Sequence, residues 1–121
     1  MTVTIANTAP EVLAAGTIVR CPRFIDGENT GLRKAVLLGL FNDPKAGYRV
    51  YFYTLGPASF APRTVGFVFP GEVTVLGTVE DLSERTLGKL YRGLGDFPGT
   101  TAVRSRAGRL AHRLREARLA H

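Results

Sequence analysis

The chain has 121 residues, 45% of them hydrophobic and 21% charged, and carries a formal net charge of +6. That length fits one domain and excludes a multidomain enzyme, and that composition excludes a largely disordered chain. The longest clean apolar run, residues 36–41, falls far short of the ~20 residues that cross a bilayer, and the first fifteen residues lack a basic cluster before an apolar stretch, so a cytoplasmic protein without a membrane span is expected.

Residues 1–15 begin with the alternating Thr2, Val3, Thr4 and Ile5, break at Pro10, and read as an edge strand or N-terminal arm. From Gly16 onward, short β-branched and aromatic runs alternate with turn residues, the pattern of a small all-β barrel or sandwich. Five strands are predicted. The first covers residues 17–21 and ends at Pro22, with a turn signal at Asp26-Gly27 and Gly31 shortly after. The second, residues 34–41, is nearly continuous in apolar residues and therefore central. Residues 42–47 contain Pro44 and Gly47 and form a hairpin loop. The third strand, residues 48–55, sets Tyr48, Val50, Phe52 and Thr54 on one face and Arg49, Tyr51, Tyr53 and Leu55 on the other. Residues 56–62, with Pro57 and Pro62, open a wider loop. The fourth strand is residues 64–69, and Pro70-Gly71 turns into the fifth, residues 72–79.

After Val79 the period changes from two to 3.6. Asp81 followed by Glu84 reads as a capping box, and Leu87, Leu90, Tyr91 and Leu94 recur at helical steps. This amphipathic helix ends at Gly93 or Gly95, and residues 96–99 break the chain before a second helix. There Val103, Ala107, Leu110, Leu114 and Ala117 fall within roughly 80° of one another at 100° per residue. The arginines at 104, 106, 109, 113, 115 and 118 flank that stripe. Gly108 weakens this helix by about 1 kcal/mol relative to alanine, so it needs a surface to lie on. The chain thus reads as mainly β: an arm over 1–15, a five-stranded barrel with its helix over 16–95, and a linker with a basic C-terminal helix over 96–121.

Charge is unevenly placed. Residues 1–98 hold ten Lys or Arg against nine Asp or Glu, whereas residues 99–121 hold six Arg against Glu116 alone. A concentrated cationic segment attracts polyanions, because each phosphate it neutralises releases a condensed counterion. Arg outnumbers Lys thirteen to three, and its forked donors suit phosphate and carboxylate.

No nucleophile elbow, phosphate-binding loop, dinucleotide fingerprint or paired metal-ligand motif is present. One cysteine and two histidines cannot build an all-soft metal cage, so no metal and no cofactor is expected. His112 and His121 read as solvated residues of the tail and Cys21 as a buried, inert thiol.

One arrangement resembles a known family. Gly16-Thr17-Ile18-Val19, the turn with Asp26-Gly27-Glu28-Asn29 and Gly31, and then Arg33-Lys34-Ala35-Val36-Leu37-Leu38 look like the opening of the MazF/PemK toxins. The likeness spans roughly residues 16–94 and departs from the family pattern at Thr17, Lys34 and Leu55. It implies an SH3-like barrel that dimerises and cleaves single-stranded RNA without a metal. Arg33 would then take the place of the family's arginine, as phosphate clamp and proton donor, and Thr54 that of its orienting threonine. No histidine near them supplies a base; Asp26 and Glu28 are the carboxylates of the preceding loop.

The aromatics offer a separate route. Tyr48, Tyr51, Phe52, Tyr53, Phe60 and Phe67 could stack unpaired bases, and Arg49, Tyr51 and Tyr53 share the face expected to be wet. Three readings follow. The first is a small basic β-barrel binding RNA or DNA through phosphate charge, using Arg49, Tyr51, Tyr53, Arg104, Arg106, Arg109, Arg113, Arg115 and Arg118. The second is a MazF-like endoribonuclease using Arg33 and Thr54. The third is a non-enzymatic, phage-type structural or adaptor protein whose C-terminal helix packs on a second copy or on a protein partner.

Overall fold

The structure, a computed structural model, describes residues 12–42, 46–54, 65–95 and 99–120. Most of the expected arm, the hairpin residues 43–45, the wider loop with Leu55 and Phe60, the linker residues 96–98 and His121 lie outside the described residues.

Five strands form one antiparallel sheet: β1 (Thr17–Ile25), β2 (Glu28–Asn42), β3 (Ala46–Phe52), β4 (Val65–Val68) and β5 (Thr74–Thr78), in the spatial order β4-β3-β2-β1-β5. Two helices follow, α1 (Glu84–Leu94) and α2 (Thr101–Leu119). Five strands, a helix and a basic C-terminal helix were the expected elements, in this order.

The largest departure from the expected boundaries is at Pro22. The ladder between β1 and β5 ends at Arg20–Thr74, so that neighbour does not need the N–H that proline lacks. β1 therefore continues along β2, with a bulge between Pro22 and Phe24. Asp26 and Gly27, at φ 52° and 81°, then close a two-residue hairpin. Positive φ at both central positions is the type I′ geometry that an Asp-Gly pair favours. β2 consequently starts at Glu28 rather than at Lys34.

The sheet is not closed into a barrel; β4 and β5 are its two hydrogen-bonded ends. β1 comes near β4, but the stretch facing it contains Pro22 and the bulge, which cannot present a regular row of donors. Side chains line the gap instead. Pro22, Arg23 and Phe24 on one side and Val65, Gly66 and Phe67 on the other surround a space of about 310 Å³.

Each face of the sheet carries a buried apolar cluster. Val19, Cys21, Ala35, Leu37, Tyr48, Val50, Phe52 and Val68 pack together on one. On the other, Ile18, Val36, Leu38, Tyr51 and Tyr53 lie beneath Leu87, Leu90 and Leu94 of α1 and Val103 and Ala107 of α2. The three α1 leucines are each 0% exposed, and complete burial of such a side chain contributes about 1.5–3 kcal/mol.

The approach to α1 is set by caps. Asp81 does not cap it; its carboxylate accepts from the Thr78 N–H at 2.9 Å and holds the 3-10 turn Val79–Asp81 that follows β5. Ser83 takes the cap position, its hydroxyl accepting from the Thr86 N–H at 3.2 Å. At the other end, a Cβ on Gly93 would overlap Tyr51 Oη, so only glycine lets α1 settle onto β3 here. Thr100, 3% exposed, donates from its hydroxyl to the Leu94 carbonyl at 2.9 Å and ties the end of α1 to the start of α2.

Candidate nucleic-acid interface

The two helices bury one side each and turn the other outward. Opposite Leu87, Leu90 and Leu94 on α1 stand Arg85, Lys89 and Arg92, all exposed and spaced i, i+4, i+7. On α2, Val103 and Ala107 face the sheet while Arg109, His112, Arg113 and Arg115 are exposed. Together α1 and α2 carry nine Lys or Arg against Glu84 and Glu116, and the rest of the chain, seven against eight, carries a net −1. The basic charge is therefore a property of the helix layer and not of the tail alone.

A groove runs between the helices as two contiguous depressions of about 600 and 740 Å³. Arg85 and Arg92 line it from α1, and Arg104, Arg109, Arg115 and Arg118 from α2; Glu84 is the one carboxylate among the described lining residues. Gly108 makes the close approach possible, because a Cβ there would stand 2.7 Å from the Tyr91 ring. Arg104 covers that ring with its guanidinium 3.9 Å from the centroid and donates from Nε to the Tyr91 carbonyl at 3.0 Å. Tyr91 is thus held between a glycine backbone and an arginine.

Two further arginines are paired within the molecule. Arg106 donates to Glu80 Oε2 from Nη2 at 2.6 Å and from Nε at 3.2 Å. Arg118 donates from Nε to Glu84 Oε1 at 2.9 Å and from Nη2 to Oε2 at 3.2 Å. The Arg106 hydrogen bond, with a second from Thr78, holds the Glu80 carboxyl below the usual glutamate range, and the Arg118 hydrogen bond does the same for Glu84. Arg118 is held more firmly protonated in return. These exposed pairs fix the flanks of α2 rather than supplying much stability. Within the described residues, Arg109, Arg113 and Arg115 have no carboxylate within ion-pair distance, although Arg113 and Arg115 contribute through space to the lowering at Glu80 and Glu84.

The other expected site residues are placed differently. Arg33 folds back on its own strand, donating to the Leu32 carbonyl at 2.8 Å and the Thr30 carbonyl at 3.0 Å. The Thr54 hydroxyl extends the β2–β3 ladder, accepting from the Lys34 N–H at 3.0 Å and donating to the Lys34 carbonyl at 3.4 Å. Both side chains thus hydrogen-bond backbone groups.

Tyr51 and Tyr53 require a correction. They are 8% and 5% exposed, beneath the helices, and offer no ring face to a base. Burial also pushes the Tyr53 hydroxyl pKa upward. The alternation along β3 is as expected, but the face expected to be wet is the one the helices cover. Arg49, half-buried, reaches the start of α2, where a Cβ on Gly99 would lie 3.0 Å from its Nη1. Of the other aromatics proposed for stacking, Tyr48 and Phe52 are buried and Phe67 is exposed.

Cys21 is fully buried, and burial, with a smaller effect of Glu72, pushes its thiol up to about 12. No group of three or more metal-capable side chains occurs among the described residues, and no helix there is long and apolar enough to cross a membrane. Arg85, Lys89 and Arg92 were missed by sequence reasoning, although their helical spacing was visible. The even charge balance over residues 1–98 concealed them.

Comparison with curated proteins and with solved structures finds no match. A family model does match, over residues 1–121. The chain therefore belongs to DUF6409, a family of unknown function.

Proposed function

We propose that this protein binds nucleic acid through phosphate contacts on the outer surface of the α1–α2 pair. One observation carries the reading: Arg85, Lys89, Arg92, Arg109, Arg113 and Arg115 are gathered on one helix layer, each without a carboxylate within ion-pair distance among the described residues. A surface so charged, on a body whose remaining residues carry a net −1, suits a polyanion. Arg33 and Thr54, bonded to backbone, lend no support to the endoribonuclease reading.

The test is fluorescence anisotropy of the full chain against labelled DNA and RNA of about 20 nucleotides or base pairs over a range of salt. Binding that weakens steeply as salt rises, and that becomes weaker and less dependent on salt when Arg109, Arg113 and Arg115 become alanine, is expected. Affinity indifferent to salt sinks the proposal. RNA cut by the wild type and left whole by Arg33→Ala replaces it with the enzyme reading.

Leu114 and Leu119, 41% and 60% exposed, favour a second reading in which the far half of α2 seats on a protein surface. A stable oligomer or co-purifying protein that leaves no room for nucleic acid supports that alternative.

A further inference from the structure

We infer that the nucleic acid is duplex DNA and that α2 enters its major groove, an inference resting on the phosphate-binding reading above. Ser105, Arg109, His112 and Glu116 lie within about 60° of one another on α2, at 100° per residue, and all four are exposed, the first three at the rim of the groove between the helices. Arg113 and Arg115 stand about 70° and 90° to either side of that centre line. The arrangement is a polar ridge between two cationic rails.

Its dimensions match one groove. A helix with side chains is about 10–12 Å across, and the B-form major groove is about 12 Å wide, with phosphates along both walls. The A-form groove of duplex RNA is deep and narrow and does not admit a helix. α2 also projects enough to enter. It has 19 residues against 11 in α1, and every residue from His112 to Ala120 is exposed.

α1 supplies a wall contact. Its basic row, from residue 85 to residue 92, is about 10 Å long, close to the axial rise of three phosphates on one strand. Packed helices lie about 8–10 Å apart, which sets this row beside the groove that α2 occupies.

Glu116 distinguishes the groove from a backbone-only surface. It sits in the middle of the ridge and, among the described residues, its carboxylate has no ion pair despite the arginines around it. Against phosphate such a group is repelled. Against base edges it has a partner, the cytosine amino group.

The experiment titrates the full chain with labelled duplex DNA of about 20 base pairs, the same sequence as duplex RNA, and the single DNA strand, at one salt concentration. Duplex DNA is expected to bind at least about tenfold more tightly than duplex RNA. Methyl green, which occupies the major groove, should displace the protein, whereas netropsin in the minor groove should not. Equal affinity for the two duplexes, tighter binding of the single strand, or displacement by netropsin alone overturns the inference and leaves phosphate binding standing. Failure to bind any of the three overturns both.

Discussion

The charge layout makes a quantitative prediction. Six cations of the helix layer have no carboxylate within ion-pair distance among the described residues, three on α1 and three on α2. If each neutralises one phosphate, the slope of log affinity against log salt is about −5.4 for B-form DNA. Raising salt from about 50 to about 200 mM then costs about 2,000-fold in affinity. Changing Arg109, Arg113 and Arg115 to alanine should roughly halve the slope, to about −2.7, so that the same salt step costs only about 40-fold. Alanine favours helix as well as arginine does, so α2 should persist, which circular dichroism checks. The triple change of Arg85, Lys89 and Arg92 should act equally, although these residues lie outside the basic tail. Arg106→Ala and Arg118→Ala, which remove guanidinium groups already paired with Glu80 and Glu84, should each move the slope by less than about one. Anisotropy titrations at five or six salt concentrations measure all of these. An α1 triple variant with the wild-type slope, or single Arg106 and Arg118 variants that lose as much as a triple, would refute the assignment.

Gly93→Ala should destabilise the protein by about 1 kcal/mol, as the overlap with buried Tyr51 outweighs the helix propensity that alanine adds; a urea midpoint that rises instead contradicts the packing described. The Glu80 and Glu84 carboxyls are lowered in the folded state, so their contribution is complete above the ordinary glutamate range and disappears as pH falls through the folded values. Stability against denaturant should be flat in this respect from neutral pH to about pH 5 and decline further into acid, with the decline reduced when both residues become glutamine; an unchanged profile in that variant disproves the linkage. Cys21 should resist a thiol reagent at pH 8 in the native protein and react readily in denaturant; rapid native labelling contradicts its burial.

The strand and helix content of this chain is legible because period and turn chemistry are local. Asp26-Gly27 announces its hairpin, and Leu87, Leu90 and Leu94 announce the buried side of α1. Pro22 misleads because its tolerance depends on where β5 stops pairing with β1, a fact of tertiary structure. Asp81 misleads because Ser83, two residues on, is an equally good cap and Asp81 is engaged by Thr78. Tyr51 and Tyr53 could not be assigned to water or core from β3 alone, since both of its faces carry aromatics and the covering helices come later in the chain. The site was half legible. The α2 arginines stand out as a run, whereas those of α1 are hidden in the charge count by nearby carboxylates, of which Glu80 pairs with Arg106 and Asp81 accepts from the Thr78 N–H.

The far part of α2 has a thermodynamic character of its own. Beyond Ala111 no side chain is buried, so the last two turns are kept wound by their own backbone ladder and by the Arg118 tie to Glu84. A helical stretch of that length is marginal when nothing packs against it. Amide exchange should therefore quicken from the Ala107 turn toward Ala120, and any polyanion that engages these turns also works against their fraying, so that occupancy and winding rise together.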